Sequence, residues 1–354
     1  MTDQHANPPP TVPPYNRLGI NYRDIPQRKI SGLIIDAHTH TREPVLTRGF
    51  LRAADAYGIG KIWTMAPLEQ VAALRAEFPG RFEFIAIPNW KTLAPCADFI
   101  TDWRKRVDAF YALGARLIKF HNAPGTQQRM GMTLDHPEMQ HMIRHAYELG
   151  YHFMTHVGDP KAWFGPGRKY DPKDGHKSFA DQFAMLDRML EKYPDRVHLG
   201  AHIGGCVEDL KQLQLRLDRF PHYIVDSSAT KWIVRGIAEQ PLTPVREFFI
   251  RNQDRILFGS DLVVGENYDF DHYGSRYWVH QKQWETDYDG ESPIADPDAA
   301  NNTPLLHGLN LPVEVLEKLY RTNAEKWLFG KVLQKRGGME SPPARNAKNV
   351  DICD

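Results

Sequence analysis

Cysteine is nearly missing from this chain: 354 residues hold three, Cys96, Cys206 and Cys353, widely spaced and odd in number. That count excludes a secreted disulfide framework and a zinc site built on CxxC pairs, and sets the expectation of a cytoplasmic protein. Net charge is missing as well, because 44 basic residues cancel 44 acidic ones. No global field then draws the chain to nucleic acid or to an anionic membrane, so the expected partner is a small molecule and any charge selectivity is local. No apolar run approaches the ~18 residues of a membrane span. The opening MTDQHANPPPTVPPYNRLG carries an acid and several prolines, without the apolar core of an export signal. A glycine-rich phosphate turn is also lacking after the first apolar run, where HTHTREP stands, which argues against a doubly wound dinucleotide-binding sheet.

What is present is alternation. Eight short β-branched or apolar runs, at residues 33–40, 61–66, 82–87, 116–121, 151–156, 197–202, 222–228 and 255–261, are separated by stretches of helical periodicity. Repeated βα units of that number predict an α/β fold, a (β/α)8 TIM barrel. Among the helices, PEMQHMIRHAYELG starts at Pro137 and places Met139, Met142, Ile143, Ala146 and Leu149 on one face before Gly150 ends it. DQFAMLDRMLEKYPDR opens near Asp181 and closes before Pro194. Residues 1–30 are read as a Pro-rich N-terminal arm, 31–334 as the barrel and 335–354 as a tail expected to be disordered. Residues 262–303 form a long insertion after the eighth strand, dense in Tyr and Trp: Tyr268, Tyr273, Tyr277, Trp278 and Trp284. A lid over the site and a homodimer contact are its two expected uses.

The chemistry concentrates where these runs end. His38 and His40 leave the same face of the first strand, His156 ends the fifth run, His202 the sixth and Asp261 the eighth. In a barrel, residues at strand C-termini converge on one mouth. Imidazoles and a carboxylate gathered there suit one divalent metal, Zn²⁺ first, with Mn²⁺ or Fe²⁺ as alternatives, and a coordination position open to water.

The pieces IIDAHTH, GARLIKFH, ELGYHFMTHVGDP, HLGAHIGG, YIVDSSA, DRILFGSD and YRTNAEKWLFG, spanning residues 33–330, resemble the amidohydrolase superfamily. The resemblance is to its amidohydrolase-related group, which includes aminocarboxymuconate semialdehyde decarboxylase-like and lactonase-like enzymes. It implies a barrel with the metal at the strand ends. His38, His40 and His156 would be ligands, Asp261 a ligand or water-orienting base, and His202 a catalytic or substrate-polarising histidine. Lys119, in the fourth run, matches the lysine that binuclear members carboxylate to bridge two metals. One metal is the expectation here, with Lys119 behind the ligands or against substrate; the bland alternative is a buried lysine paired with a carboxylate such as Asp36.

The loop after His156 carries Lys161, Trp163 and Arg168, which would contact a carboxylate-bearing substrate unless they are ordinary solvated loop residues. Asp226, in the IVDSSA of the seventh run, is read as orienting a histidine or capping a loop, with Lys231 and Trp232 close behind it. The leading function is hydrolysis of a lactone, ester or amide by metal-activated water. Nonoxidative decarboxylation of an aromatic or unsaturated acid is the alternative within the same family. A noncatalytic metal-binding barrel is the third reading.

Overall fold

The computed structural model of the protein describes residues 13–94 and 97–329. The expected tail, residues 335–354, and Cys96 and Cys353 lie outside the described residues. The eight apolar runs become strands of one parallel sheet: β1 (Ile34–His40), β2 (Ile59–Met65), β3 (Phe82–Ala86), β4 (Leu117–Asn122), β5 (His152–Val157), β6 (His198–Gly200), β7 (Tyr223–Asp226) and β8 (Ile256–Leu257), and a ninth short strand, β9 (Leu262–Val263), is formed by the first two residues of the stretch expected as an insertion. Neighbours follow sequence order from β1 to β8, with β9 against β1.

The eighth run and the two residues after it join the two edges of the sheet. β8 pairs with β7, Val225 opposite Ile256, and β9 with β1, Thr39 opposite Leu262. Ala37 N donates to Phe258 O at 2.9 Å, Asp261 N to His38 O at 2.8 Å and Val264 N to His40 O at 2.8 Å, so the seam is stitched along its length. Gly259 sits inside the break, where a Cβ would lie 3.0 Å from that of His38 and 3.2 Å from that of Ser228. A bare backbone there lets the three strands carrying the site approach one another.

Helices cover the outside for the reasons their sequences supply. Pro137–Leu149 has proline in its first turn, His136 Nδ1 accepting from Glu138 N at 3.2 Å, and Gly150 at φ 98° as its stop. It buries Met139, Met142, Ile143 and Ala146, worth roughly 1.5–3 kcal/mol for each large side chain. Phe179–Lys192 begins with a reciprocal Ser178–Asp181 capping box.

The aromatic stretch expected as lid or subunit contact supplies mainly the barrel's own packing. Its helix, Phe270–Glu285, lies against the first helix, Pro44–Ala56, and buries Tyr273, Tyr277, Trp278 and Trp284. The arm laps over that helix: Tyr22 is fully buried with its ring edge-on to Trp278, and Lys29 N donates to Glu285 Oε2 at 2.7 Å. Of the five insertion aromatics only Tyr268, 43% exposed, faces the barrel mouth.

Candidate metal centre and active site

At the C-terminal ends of the strands, β1 delivers His38 and His40 and the broken eighth run delivers Asp261. Their nearest nitrogen and carboxylate atoms lie within 4.8 Å of one another. Asp261 Oδ1 is 3.3 Å from His38 Nε2 and 3.1 Å from His40 Nε2. Asp261 has a left-handed backbone, φ 57°, a conformation disfavoured for a residue with a Cβ and held here by its N–H bond to His38 O.

The donor set fits a divalent cation. His38 Nδ1 lies 2.9 Å from Asp226 Oδ2, so the ring proton belongs on Nδ1 and donates to that carboxylate. Its Nε2 is then a bare lone pair aimed at Asp261. Burial, with Lys119 nearby, lowers the His38 pKa against the pull of Asp226 and Asp261 and keeps the ring neutral. Burial pushes the Asp261 carboxyl up, but His38, His40 and His202 outweigh it and hold the group well below the usual carboxylate range. A neutral imidazole nitrogen and a carboxylate oxygen at this distance have no proton to share, and a cation between them resolves the contact.

Asp226 organises the centre from behind. Besides His38 it accepts from His202 N at 3.0 Å and Ser228 N at 3.0 Å. The first bond holds His202 at φ 60°, just past the end of β6, and turns its ring onto that of His38, with centroids 5.0 Å apart. His202 Nδ1 meets Ser228 Oγ at 2.7 Å, and its Nε2 meets His156 Nδ1 at 3.0 Å. His156 Nε2 donates to Gly158 O at 3.0 Å and faces Asp159 Oδ1 at 3.1 Å.

His156, expected as a third ligand, therefore stands one place away from the His38, His40 and Asp261 cluster, linked to it through His202. Burial and the neighbouring His156 drive the His202 pKa well below its ordinary value, so that ring is a neutral hydrogen-bonding group.

Lys119 is 2% exposed and has no hydrogen-bond partner among the described residues. It faces the centre, and burial lowers its amine to about 8 despite Asp226 and Asp261. The expected alternative pairing with Asp36 does not form. Asp36 accepts instead from Ser260 Oγ at 2.6 Å, Ser260 N at 3.0 Å and Tyr277 OH at 3.2 Å. Those donors do not offset its burial, which pushes the carboxyl up to about 7.

One site residue escaped the sequence reading. His121, two residues beyond Lys119 on β4, brings its ring 4.3 Å from that of His156. Its Nδ1 is buried without a partner. The signal was available, because a spacing of two on a strand puts both side chains on one face.

Two spaces with shared lining residues flank the centre. One, about 360 Å³, lies over β1–β4 and is walled by Met65, Trp90 and Leu93 with Lys119 and His121. The other, about 520 Å³, lies over β5–β9 and includes Trp163, Trp232 and Tyr268. His156, His202, Asp261 and Val263 border both. Of the loop residues expected to contact substrate, Trp163 lines the larger space. Arg168 is exposed and lines neither, and Lys161 is exposed with its Nζ 3.4 Å from Asp209. Arg168 lies between Phe164 and Tyr170, which bridge to each other, and meets solvent. The cations that do line the larger space are Lys231, Arg235 and Arg276.

Among the described residues no helix is long and apolar enough to cross a membrane. The comparison with curated proteins finds no match. Solved structures that the fold is similar to include a 5-carboxyvanillate decarboxylase from Novosphingobium aromaticivorans complexed with manganese, at 14% identity and TM-score 0.49 over 84% of this chain and 96% of the other. A 4-oxalomesaconate hydratase from Rhodopseudomonas palustris aligns at 14% identity and TM-score 0.48 over 86% and 99% of the two chains. An amidohydrolase from Burkholderia multivorans with bound zinc aligns at 12% identity and TM-score 0.46 over 84% and 99%. The family model described as Amidohydrolase matches residues 2–330, and this chain belongs to that family.

Proposed function

We propose that this amidohydrolase-family enzyme hydrolyses a lactone, ester or amide bond of a small carboxylate-bearing substrate. The observation that carries the reading is Asp261, an ionised carboxylate in reach of both His38 and His40, opening onto a cavity large enough for such a substrate. His38, His40 and Asp261 would hold one divalent ion, zinc by proposal, with manganese or iron suited to the same donors. When bound, the ion would lower the pKa of its water and polarise the substrate carbonyl.

The chain's own groups account for the proton. Asp261 accepts it from the attacking water and returns it to the departing alcohol or amine as the carbonyl–oxygen or carbonyl–nitrogen bond breaks. Asp226 keeps the His38 proton on Nδ1, away from the centre. His202, a neutral ring, and His156 border the reacting space, and Asp159 steadies His156 from its far side.

The test is turnover by metal-loaded protein on a panel of lactones, esters and amides beside hydroxybenzoates, with and without chelator. Acid release that the chelator abolishes is the expected result. Release of CO₂ without acid would replace hydrolysis with decarboxylation, and no turnover of either set would favour the noncatalytic barrel. Metal analysis should return one equivalent per chain; two would promote Lys119 to a bridging role. Cytoplasmic residence and a homodimer stay as proposals, the second tested by sedimentation.

A further inference from the structure

The larger space has an unequal distribution of paired charge. Four carboxylates line it, and each is engaged: Asp261 with the two histidines, Asp159 with His156 and the Tyr170 hydroxyl, and Asp296 and Asp298 with the Arg235 guanidinium. Two cations on its wall, Arg276 and Lys231, have no carboxylate within ion-pair distance among the described residues.

Arg276 comes from the helix Phe270–Glu285 and is half-buried. Its guanidinium is anchored by one nitrogen only. Nη1 donates to His272 O at 2.9 Å and Ser275 Oγ at 3.0 Å, and lies 3.3 Å from His272 Nδ1. Nε and Nη2 make no hydrogen bond among the described residues, yet neither is sealed from solvent-sized space. That pair forms the edge of a guanidinium that matches the two oxygens of a carboxylate. The anchor is itself braced: His272 stacks on Tyr268 with centroids 3.7 Å apart and planes 6° from parallel, and Tyr15 of the arm meets it edge-on at 5.6 Å. Burial pulls the His272 pKa down to about 3, so it adds no competing charge, and the Arg276 pKa to about 10, which leaves the guanidinium charged at neutral pH.

We propose that Arg276, with Lys231 at the rim, is the carboxylate-recognition subsite of this enzyme and restricts it to organic anions, the carboxylate docking on the free Nε–Nη2 edge while the reacting bond lies over Asp261. The placement of the reacting bond rests on the hydrolase reading; the placement of the carboxylate does not. Trp163, Trp232 and Tyr268 around the same space favour a flat or unsaturated body for the anion.

The experiment measures binding of benzoate and of its neutral isostere benzamide to the full-length chain, both metal-loaded and chelator-stripped, by calorimetry. Benzoate is expected to bind in both states and more tightly than benzamide. Arg276→Gln is expected to weaken benzoate by about tenfold to hundredfold, the loss for a charge-assisted hydrogen-bonded pair, and to leave benzamide unchanged. Lys231→Gln should weaken benzoate less and in a salt-dependent way. If Arg276→Gln does not fold, Arg276→Lys, which keeps the charge and loses the fork, should bind benzoate more weakly than wild type and leave benzamide unchanged. Benzoate binding that requires metal and ignores Arg276 would overturn the proposal, as would equal binding of the two probes or no binding of benzoate. If no lactone, ester or amide is turned over while benzoate binding keeps its Arg276 dependence, hydrolysis fails and the subsite stands.

Discussion

Replacing Asp226 by asparagine tests the metal-centre reading at the residue behind it. The carboxylate accepts on both oxygens: Oδ2 from His38 Nδ1, and Oδ1 from the backbone N–H groups of His202 and Ser228. An amide has one accepting oxygen. If that oxygen faces His202 and Ser228, the amide N–H₂ confronts His38 Nδ1, which must then accept, and the ring proton moves to Nε2, the atom aimed at Asp261. If the amide turns over, two buried backbone N–H groups lose their acceptor, at about 1–3 kcal/mol each. Either outcome harms the centre. Loss of such a supporting partner lowers metal affinity by about 10–100-fold, which corresponds to about 1.4–2.7 kcal/mol. Competitive titration against a chromophoric chelator reads the affinity, and nitrogen NMR of labelled histidine in the metal-free protein reads the His38 tautomer. An Asp226→Asn protein that binds zinc within about twofold of wild type, with His38 still protonated on Nδ1, would refute the reasoning.

Asp261→Asn takes away the proposed ligand and proton acceptor, and kcat on any substrate found should fall by about 10²–10⁴-fold; near wild-type turnover would end its assignment as base. Gly205→Ala should destabilise the fold by at least about 2 kcal/mol in urea unfolding. Its backbone is left-handed at φ +71°, and a Cβ would lie 2.0 Å from Val157 O on the strand that carries His156; an unchanged midpoint would contradict that crossing. His198 has its pKa lowered from 6.5 to about 4 by burial, so the unfolded chain binds the proton more readily than the folded one. Its neutral form supports the fold above pH ~6.5, and that support is lost as pH falls toward the folded value, at about 1.4 kcal/mol per pH unit. The stability gap between wild type and His198→Gln should then be about 2 kcal/mol smaller at pH 5 than at pH 7.5; a pH-independent gap would refute the assignment.

The sequence by itself determined the barrel and most of the mouth. Apolar runs of strand length, separated by amphipathic helices with readable starts and stops, leave few alternatives to a closed parallel sheet, and a residue at the end of such a run has to appear at one rim. His38, His40 and Asp261 were legible for that reason. His121 was equally legible by its spacing from Lys119.

The tertiary structure decided what lies between strands. β6 stops at Gly200 and the eighth run breaks after Leu257, so His202 and Asp261 sit in left-handed turns fixed by Asp226 and by His38 O, partners from distant parts of the chain. Periodicity cannot report such excursions, because it records only the regular backbone. The separation of His156 from the His38, His40 and Asp261 cluster and the pairing of Asp36 with Ser260 rather than Lys119 arise the same way, from hydrogen bonds between residues far apart in sequence. Arg276 is the clearest case. It lies on a helix whose aromatic composition suggests only burial, and its free edge reaches the mouth because that helix packs beside the first barrel helix.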